Sequence, residues 1–130
     1  MNVQEVIECV AKAFGFEPPE VNERGTVFCF EEGLEVRVYS FKGYIVFSGK
    51  IGEQITPDNT ALIRQLLQRN CDQTDPFFDI LSIDKEEKQV YLSRNIKEID
   101  LKVEMVQDVM QTFLTKLDAW NEALEAMAHG

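Results

Sequence analysis

Asp100–Met127, with the sequence DLKVEMVQDVMQTFLTKLDAWNEALEAM, is the longest segment of the chain that follows one regular pattern. Its apolar residues recur in steps of three and four, as on one face of an α-helix. They are Val103, Val106, Met110, Phe113, Leu114, Leu117, Trp120, Leu124 and Met127. Asp100 is the expected N-cap, because its carboxylate accepts a hydrogen bond from the first turn. The pattern predicts a long helix whose apolar face packs on a sheet or binds another chain.

Two more helices and five strands are predicted ahead of this segment. Asn2–Phe14 has helical spacing, with Asn2 as its cap and Gly15 as the left-handed residue that ends it. A second helix begins at Thr56-Pro57 and runs to about Asn70. The predicted strands are Thr26–Phe30, Leu34–Phe41, Tyr44–Ile51, Phe77–Ile83 and Gln89–Ser93. The prediction is an α+β fold of order α-β-β-β-α-β-β-α, with an antiparallel sheet packed against helices in one domain over residues 1–130.

The fourth predicted strand, FFDILSI, is apolar on both faces. Phe77, Leu81 and Ile83 lie on one face, and Phe78 and Ile80 lie on the other. A strand that is apolar on both faces needs cover on both. In a chain of 130 residues, a second subunit is one candidate for that cover.

The charge balance excludes several kinds of partner. The chain has 23 acidic and 13 basic residues, a net charge of −10, and a pI near 4.5. Phosphate backbones and anionic membranes are bound by clustered Lys and Arg, and the sequence has no such cluster. Cys9, Cys29 and Cys71 are widely spaced within apolar segments, which favours reduced cysteines in the core. We therefore expect a cytoplasmic protein that binds neither nucleic acid nor membrane.

No catalytic or metal-binding motif stands out. The only histidine, His129, is next to the last residue, so a Ser/His or Cys/His pair is not expected. The acidic pairs Glu31-Glu32 and Glu86-Glu87 fall in predicted turns, where carboxylates are usually solvated. We expect no enzyme activity, no catalytic residues, no metal and no cofactor. A small carboxylate-using enzyme or ligand-binding domain is the least favoured alternative.

Val90–Trp120, VYLSRNIKEIDLKVEMVQDVMQTFLTKLDAW, resembles the class I type III secretion chaperones, the family typified by the chaperone of the intimin receptor. A strand ending in Leu-Ser-Arg and Ile is followed by Asp-Leu and a helix with a Phe and a Trp. The first helix with its Gly-Phe end and the Leu34–Val38 strand are similar as well. The resemblance covers essentially the whole chain and rests on residue classes rather than invariant residues.

The resemblance implies a non-catalytic chaperone in the bacterial cytoplasm. It implies a homodimer, with Leu62, Leu66, Phe77, Phe78 and Ile80 at the interface. It also implies that the N-terminal segment of a secreted effector binds in extended form and stays soluble and competent for secretion. The implied effector-binding residues are Val3, Ile7, Val10, Phe28, Phe30, Val36, Val38 and Phe47. A regulatory adaptor that sequesters a secretion-system regulator remains an alternative.

Overall fold

A computed structural model of the chain describes residues 1–17, 19–30, 33–52, 64, 65, 68, 79–84, 86 and 89–129, with side chains through residue 126. The described residues form two helices and five strands. These are α1 (Val3–Phe14), β1 (Thr26–Cys29), β2 (Glu35–Phe41), β3 (Tyr44–Ile51), β4 (Asp79–Asp84), β5 (Gln89–Lys97) and α2 (Val103–His129). The α+β class is confirmed. The helix predicted between Thr56 and Asn70 lies outside the described residues, apart from residues 64, 65 and 68, which are helical.

The five strands form one antiparallel sheet in the order β1-β2-β3-β5-β4. The predicted meander of the first three strands is confirmed. Strand β5 continues to Lys97 rather than ending at Ser93, because residues 94–97 pair in register with β3, from Arg94 opposite Phe47 to Lys97 opposite Tyr44. This pairing places β5 in the middle of the sheet and β4 at its edge.

Helix α1 begins and ends where local sequence rules place its termini. The Asn2 side chain accepts a hydrogen bond from the Glu5 backbone N–H at 2.9 Å, and the Glu5 carboxylate accepts one from the Asn2 N–H at 3.2 Å. Gly15 closes the helix with φ at 77°. The Phe16 backbone N–H then donates to the Ala11 carbonyl at 2.8 Å. The predicted capping and termination of this helix are confirmed.

Helix α2 starts three residues later than predicted. The Asp100 backbone N–H donates to the Lys97 carbonyl at 2.9 Å, so Asp100 belongs to the turn after β5 and does not cap the helix. Val103, expected on the buried face, is 62% exposed, whereas Leu101 and Val109 are buried. The other residues of the predicted stripe that the structure describes are buried or half-buried.

Both helices cover the same face of the sheet, which we call the inner face. Helix α2 contacts β3 and α1, and α1 contacts β2. At Gly49 the approach is so close that an added Cβ would lie 2.7 and 2.8 Å from the two Leu117 methyl carbons. Gly49 pairs regularly with Val36 and Leu92. It is therefore not a bulge, and its lack of a side chain lets the helix lie against the sheet.

Candidate functional site

The opposite face of the sheet, which we call the outer face, carries a broad groove with a volume of about 680 Å³. Residues from all five strands line it, together with Arg24, two residues before β1. The lining residues are Arg24, Val27, Glu35, Arg37, Tyr39, Ser48, Lys50, Ser82, Ile83, Asp84, Tyr91 and Ser93. Strand alternation explains the strand residues of this set except Ile83, because successive side chains of a strand point to opposite faces. Ile83 pairs with the buried Val90, and it lines the groove at the edge of the sheet.

Two rows of paired residues form the floor of the groove. In one row Arg37 pairs with Val27 on one side and with Ser48 on the other, and Ser48 pairs with Ser93. In the neighbouring row Lys50 pairs with Tyr91. The floor is therefore polar and rich in hydroxyl groups.

Apolar side chains lie at the two edge strands. Val27 on β1 is 45% exposed, and Ile80 and Ile83 on β4 are 49% and 42% exposed. An edge strand also has backbone N–H and C=O groups that its own sheet leaves unpaired, and these bind an added strand. The arrangement can hold a polypeptide segment with both polar and apolar side chains.

Six of the eight predicted effector-binding residues are buried in the core and not on this surface. Ile7, Val10, Phe28, Val36, Val38 and Phe47 have exposures of 0–2%. They lie together between the inner face and the two helices. In this fold a partner cannot reach them, because the chain's own helices cover them.

The other two predicted residues, Val3 and Phe30, are half-buried at the margin of the core. Phe30 belongs to an aromatic cluster between the end of α1 and β1. Its ring centroid lies 5.5 Å from that of Phe14 and 5.2 Å from that of Phe16. Phe14 and Phe16 are also half-buried, so this cluster is a second apolar area that a partner could touch.

Among the predicted dimer-interface residues, Ile80 is described and is 49% exposed on the outer side of β4. Leu62, Leu66, Phe77 and Phe78 lie outside the described residues. Leu81, the neighbour of Ile80 in sequence, is buried against the core. Within the described part of the chain, β4 is therefore apolar on both faces, as the sequence predicts, and one of these faces is exposed.

A buried ionic cluster connects this edge strand to helix α2. Arg94 and Asp79 are 2% and 1% exposed, and the guanidinium donates to both carboxylate oxygens of Asp79, at 2.7 and 2.8 Å. Arg94 Nη1 also donates to the Val109 carbonyl at 2.8 Å and to Thr112 Oγ1 at 2.6 Å. The Lys116 ammonium lies 3.1 Å from Asp79. These contacts pair the buried charges of Arg94 and Asp79, either of which would be destabilising in the core without a partner.

Neither this cluster nor the groove is among the features predicted from the sequence. The signal for the cluster is the position of Arg94 in β5. Leu92, Arg94 and Ile96 are alternate residues of one strand and are all buried, so a charged residue stands in an otherwise apolar row. For the groove, the signal is the alternation of Glu35, Arg37 and Tyr39 with the apolar residues of β2, but the resemblance placed the binding residues on the apolar face. Cys29, expected in the core, is exposed on this outer face.

Among the described residues, no group of three or more His, Cys, Asp or Glu side chains is arranged to hold a metal ion. No helix in the described part of the chain is long and apolar enough to span a membrane.

Sequence comparison identifies the class of protein to which this chain belongs. The chain belongs to the Tir chaperone protein (CesT) family, whose model matches residues 5–121. The predicted relation to the class I type III secretion chaperones is thereby confirmed, and the chain is a non-enzymatic chaperone. No curated protein matches the chain in sequence.

Solved structures share the whole fold at low sequence identity. One chain of the HopA1–SchA chaperone–effector complex matches with a TM-score of 0.68 and 12% identity over 91% of both chains. The ExsC–ExsE complex contains a chain with a TM-score of 0.72 and 16% identity, over 94% of this chain and 96% of the other. A chain of the heterodimeric ExoU–SpcU complex from the type III secretion system of Pseudomonas aeruginosa matches with a TM-score of 0.65 and 20% identity. The match covers 91% of this chain and 93% of the other. At these identities the similarity establishes the fold alone.

Proposed function

We propose that this chain, as a single domain over residues 1–130, is a chaperone of the bacterial cytoplasm that binds the N-terminal segment of a type III secreted effector. Binding keeps the effector soluble and competent for secretion. The observation that carries the proposal is the outer-face groove of about 680 Å³, which has exposed apolar residues at both edge strands. Family membership and the similar fold in a chaperone–effector complex support the same function.

The groove suits an extended or helical segment better than a small ligand. It is open along the outer face and lined by residues from five strands, whereas small-molecule sites are concave and enclose most of the ligand. Val3 and Phe30 are the predicted effector-binding residues whose side chains an effector can reach without opening the core. They lie at the margin of the core, where the aromatic cluster offers a further apolar contact.

A partner-capture experiment tests this function. Tagged protein is purified from its native bacterial cytoplasm, bound proteins are identified by mass spectrometry, and the complex is digested with protease. The expected result is one stoichiometric secreted partner whose N-terminal segment is protected from digestion. Protection of a different region contradicts the proposed binding segment. Recovery of a transcriptional regulator identifies the chain as a regulatory adaptor instead.

We also propose that the chaperone is a homodimer with β4 at its interface. The exposed Ile80 on this edge strand, which is outside the groove lining, supports the proposal, because a second copy would remove it from water. The Ile80→Asp substitution should shift the protein from dimer to monomer in sedimentation-velocity analysis. Val103→Asp is the matched control, because Val103 is 62% exposed on α2 and far from β4 in sequence. An Ile80→Asp variant that sediments as the wild type does contradicts this interface.

A further inference from the structure

The outer-face groove is lined by more basic than acidic side chains, although the chain as a whole is acidic. The whole chain has 23 acidic and 13 basic residues, but the groove is lined by three basic residues, Arg24, Arg37 and Lys50, and two acidic ones, Glu35 and Asp84. The local balance of charge is thus opposite in sign to that of the chain. A surface of this kind attracts negatively charged groups in a molecule that otherwise repels them.

The arrangement of the strands brings two of these cations together. Arg37 pairs with Ser48 across the β2–β3 ladder, and Lys50 lies two residues beyond Ser48 on the same strand and the same face. Such diagonal neighbours are about 7–8 Å apart. The Ser48 and Ser93 hydroxyls on the adjoining positions supply hydrogen-bond donors that suit a carboxylate.

The acidic residues of the groove, Glu35 and Asp84, form no ion pair with its cations. Among the residues that the structure describes, the side chains of Arg24, Arg37 and Lys50 form no ion pair. Glu35, the nearest acidic neighbour of Arg37 in sequence, accepts a weak hydrogen bond from the Cys29 thiol at 3.8 Å instead. The three basic side chains are also exposed, so their charge is available to a partner.

We propose that the groove selects an acidic segment, with one or two carboxylates that pair with Arg37 and Lys50 and apolar side chains that contact the edge strands. This inference rests on the proposed function and specifies the chemistry of the bound segment. In an extended chain, the Cα atoms of alternate residues are about 6.6–6.8 Å apart. Two acidic residues at such positions therefore match the spacing between Arg37 and Lys50. Free nucleic acid does not fit, because the net charge of −10 opposes a long polyanion.

A random-peptide phage library, selected separately on the wild type and on two variants, tests the inference. The groove variant is Arg37→Glu with Lys50→Glu. The control variant is Lys12→Glu with Lys97→Glu, which makes the same change in net charge at exposed positions outside the groove lining. Far-UV circular dichroism establishes that both variants are folded.

The wild type and the control should recover peptides that combine Asp or Glu with apolar residues. The groove variant should lose this preference, and its affinity for an acidic peptide recovered by the wild type should fall by at least about tenfold. Neutral apolar peptides recovered equally by all three proteins would overturn the inference while leaving the proposed function intact. Failure of the wild type to recover any peptide would contradict both the inference and the proposed binding of a segment in this groove.

Discussion

The buried pair of Arg94 and Asp79 should make the fold depend on one carboxylate. In the Asp79→Asn variant, the side chain keeps its shape, but the guanidinium loses the counter-charge that it contacts at 2.7 and 2.8 Å. Arg94 keeps its bonds to the Val109 carbonyl and Thr112, neither of which carries a charge. Lys116, 3.1 Å from Asp79, adds a second cation to the same site. The variant therefore lacks the carboxylate that neutralises Arg94 in the core.

Removing one partner of a buried ion pair costs about 3–5 kcal/mol. We expect about 3 kcal/mol for Asp79→Asn, at the lower end, because the amide oxygen still accepts a hydrogen bond and the 23% exposed Lys116 can turn towards water. A loss of this size is a large fraction of the roughly 5–15 kcal/mol that stabilises a typical domain. The midpoint of urea unfolding should fall accordingly.

Urea unfolding followed by the fluorescence of Trp120 measures the change. Trp120 is the only tryptophan and is half-buried on α2. The protein concentration must be the same for all variants, because the stability of an oligomer depends on it. Ser82→Ala, at an exposed position on the same strand, is the control and should change the free energy of unfolding by less than about 0.5 kcal/mol.

The double variant Asp79→Asn with Arg94→Met separates the charge effect from the effect of altered packing. It removes both charges, so it should be more stable than Asp79→Asn alone, since an uncharged replacement of a buried pair is often neutral. A cost of less than about 1 kcal/mol for Asp79→Asn would contradict a stabilising role for this carboxylate. Simple addition of the effects of the two substitutions would contradict the interaction between Asp79 and Arg94.

Two further predictions concern backbone positions. Gly49→Ala should lower the free energy of unfolding by about 1–3 kcal/mol, since the new methyl group meets the fully buried Leu117. Adding Leu117→Val should restore part of this loss in urea unfolding, and no restoration would contradict the proposed clash. Asn2→Ala should cost about 1 kcal/mol by removing the N-cap of α1. Asn2→Asp keeps the acceptor and should unfold like the wild type; equal losses in the two variants would contradict the capping role.

The local elements of this fold could be predicted because their causes are local. The Asn2–Glu5 capping box, the Gly15 terminus and the alternation along β2 each depend on residues a few positions apart. The C-terminal end of β5 could not be predicted from such local patterns. Ser93, Arg94 and Asn95 interrupt the apolar pattern, and the strand continues past them because β3 supplies hydrogen-bond partners through Lys97.

The candidate site could be predicted only in part, because periodicity does not show what covers a face. Val36 and Val38 form an apolar row that either a partner or the chain's own helix could cover. In the structure the helices of this chain cover it, so both side chains have 0% exposure. The accessible surface is the polar face of the same strand, where Arg37 lies.

The sequence by itself determined the α+β class, the two capped or amphipathic helices at either end of the described chain, the strand faces and the resemblance to a chaperone family. The first three follow from composition and from patterns within a few residues, whereas the resemblance rests on residue classes along essentially the whole chain. The tertiary structure alone decided which sheet face is open, that Arg94 meets Asp79, and that Arg37 and Lys50 lie together in a groove. These features join residues of different strands and helices. They depend on the strand order and on how α1 and α2 pack over the sheet, which no local pattern encodes.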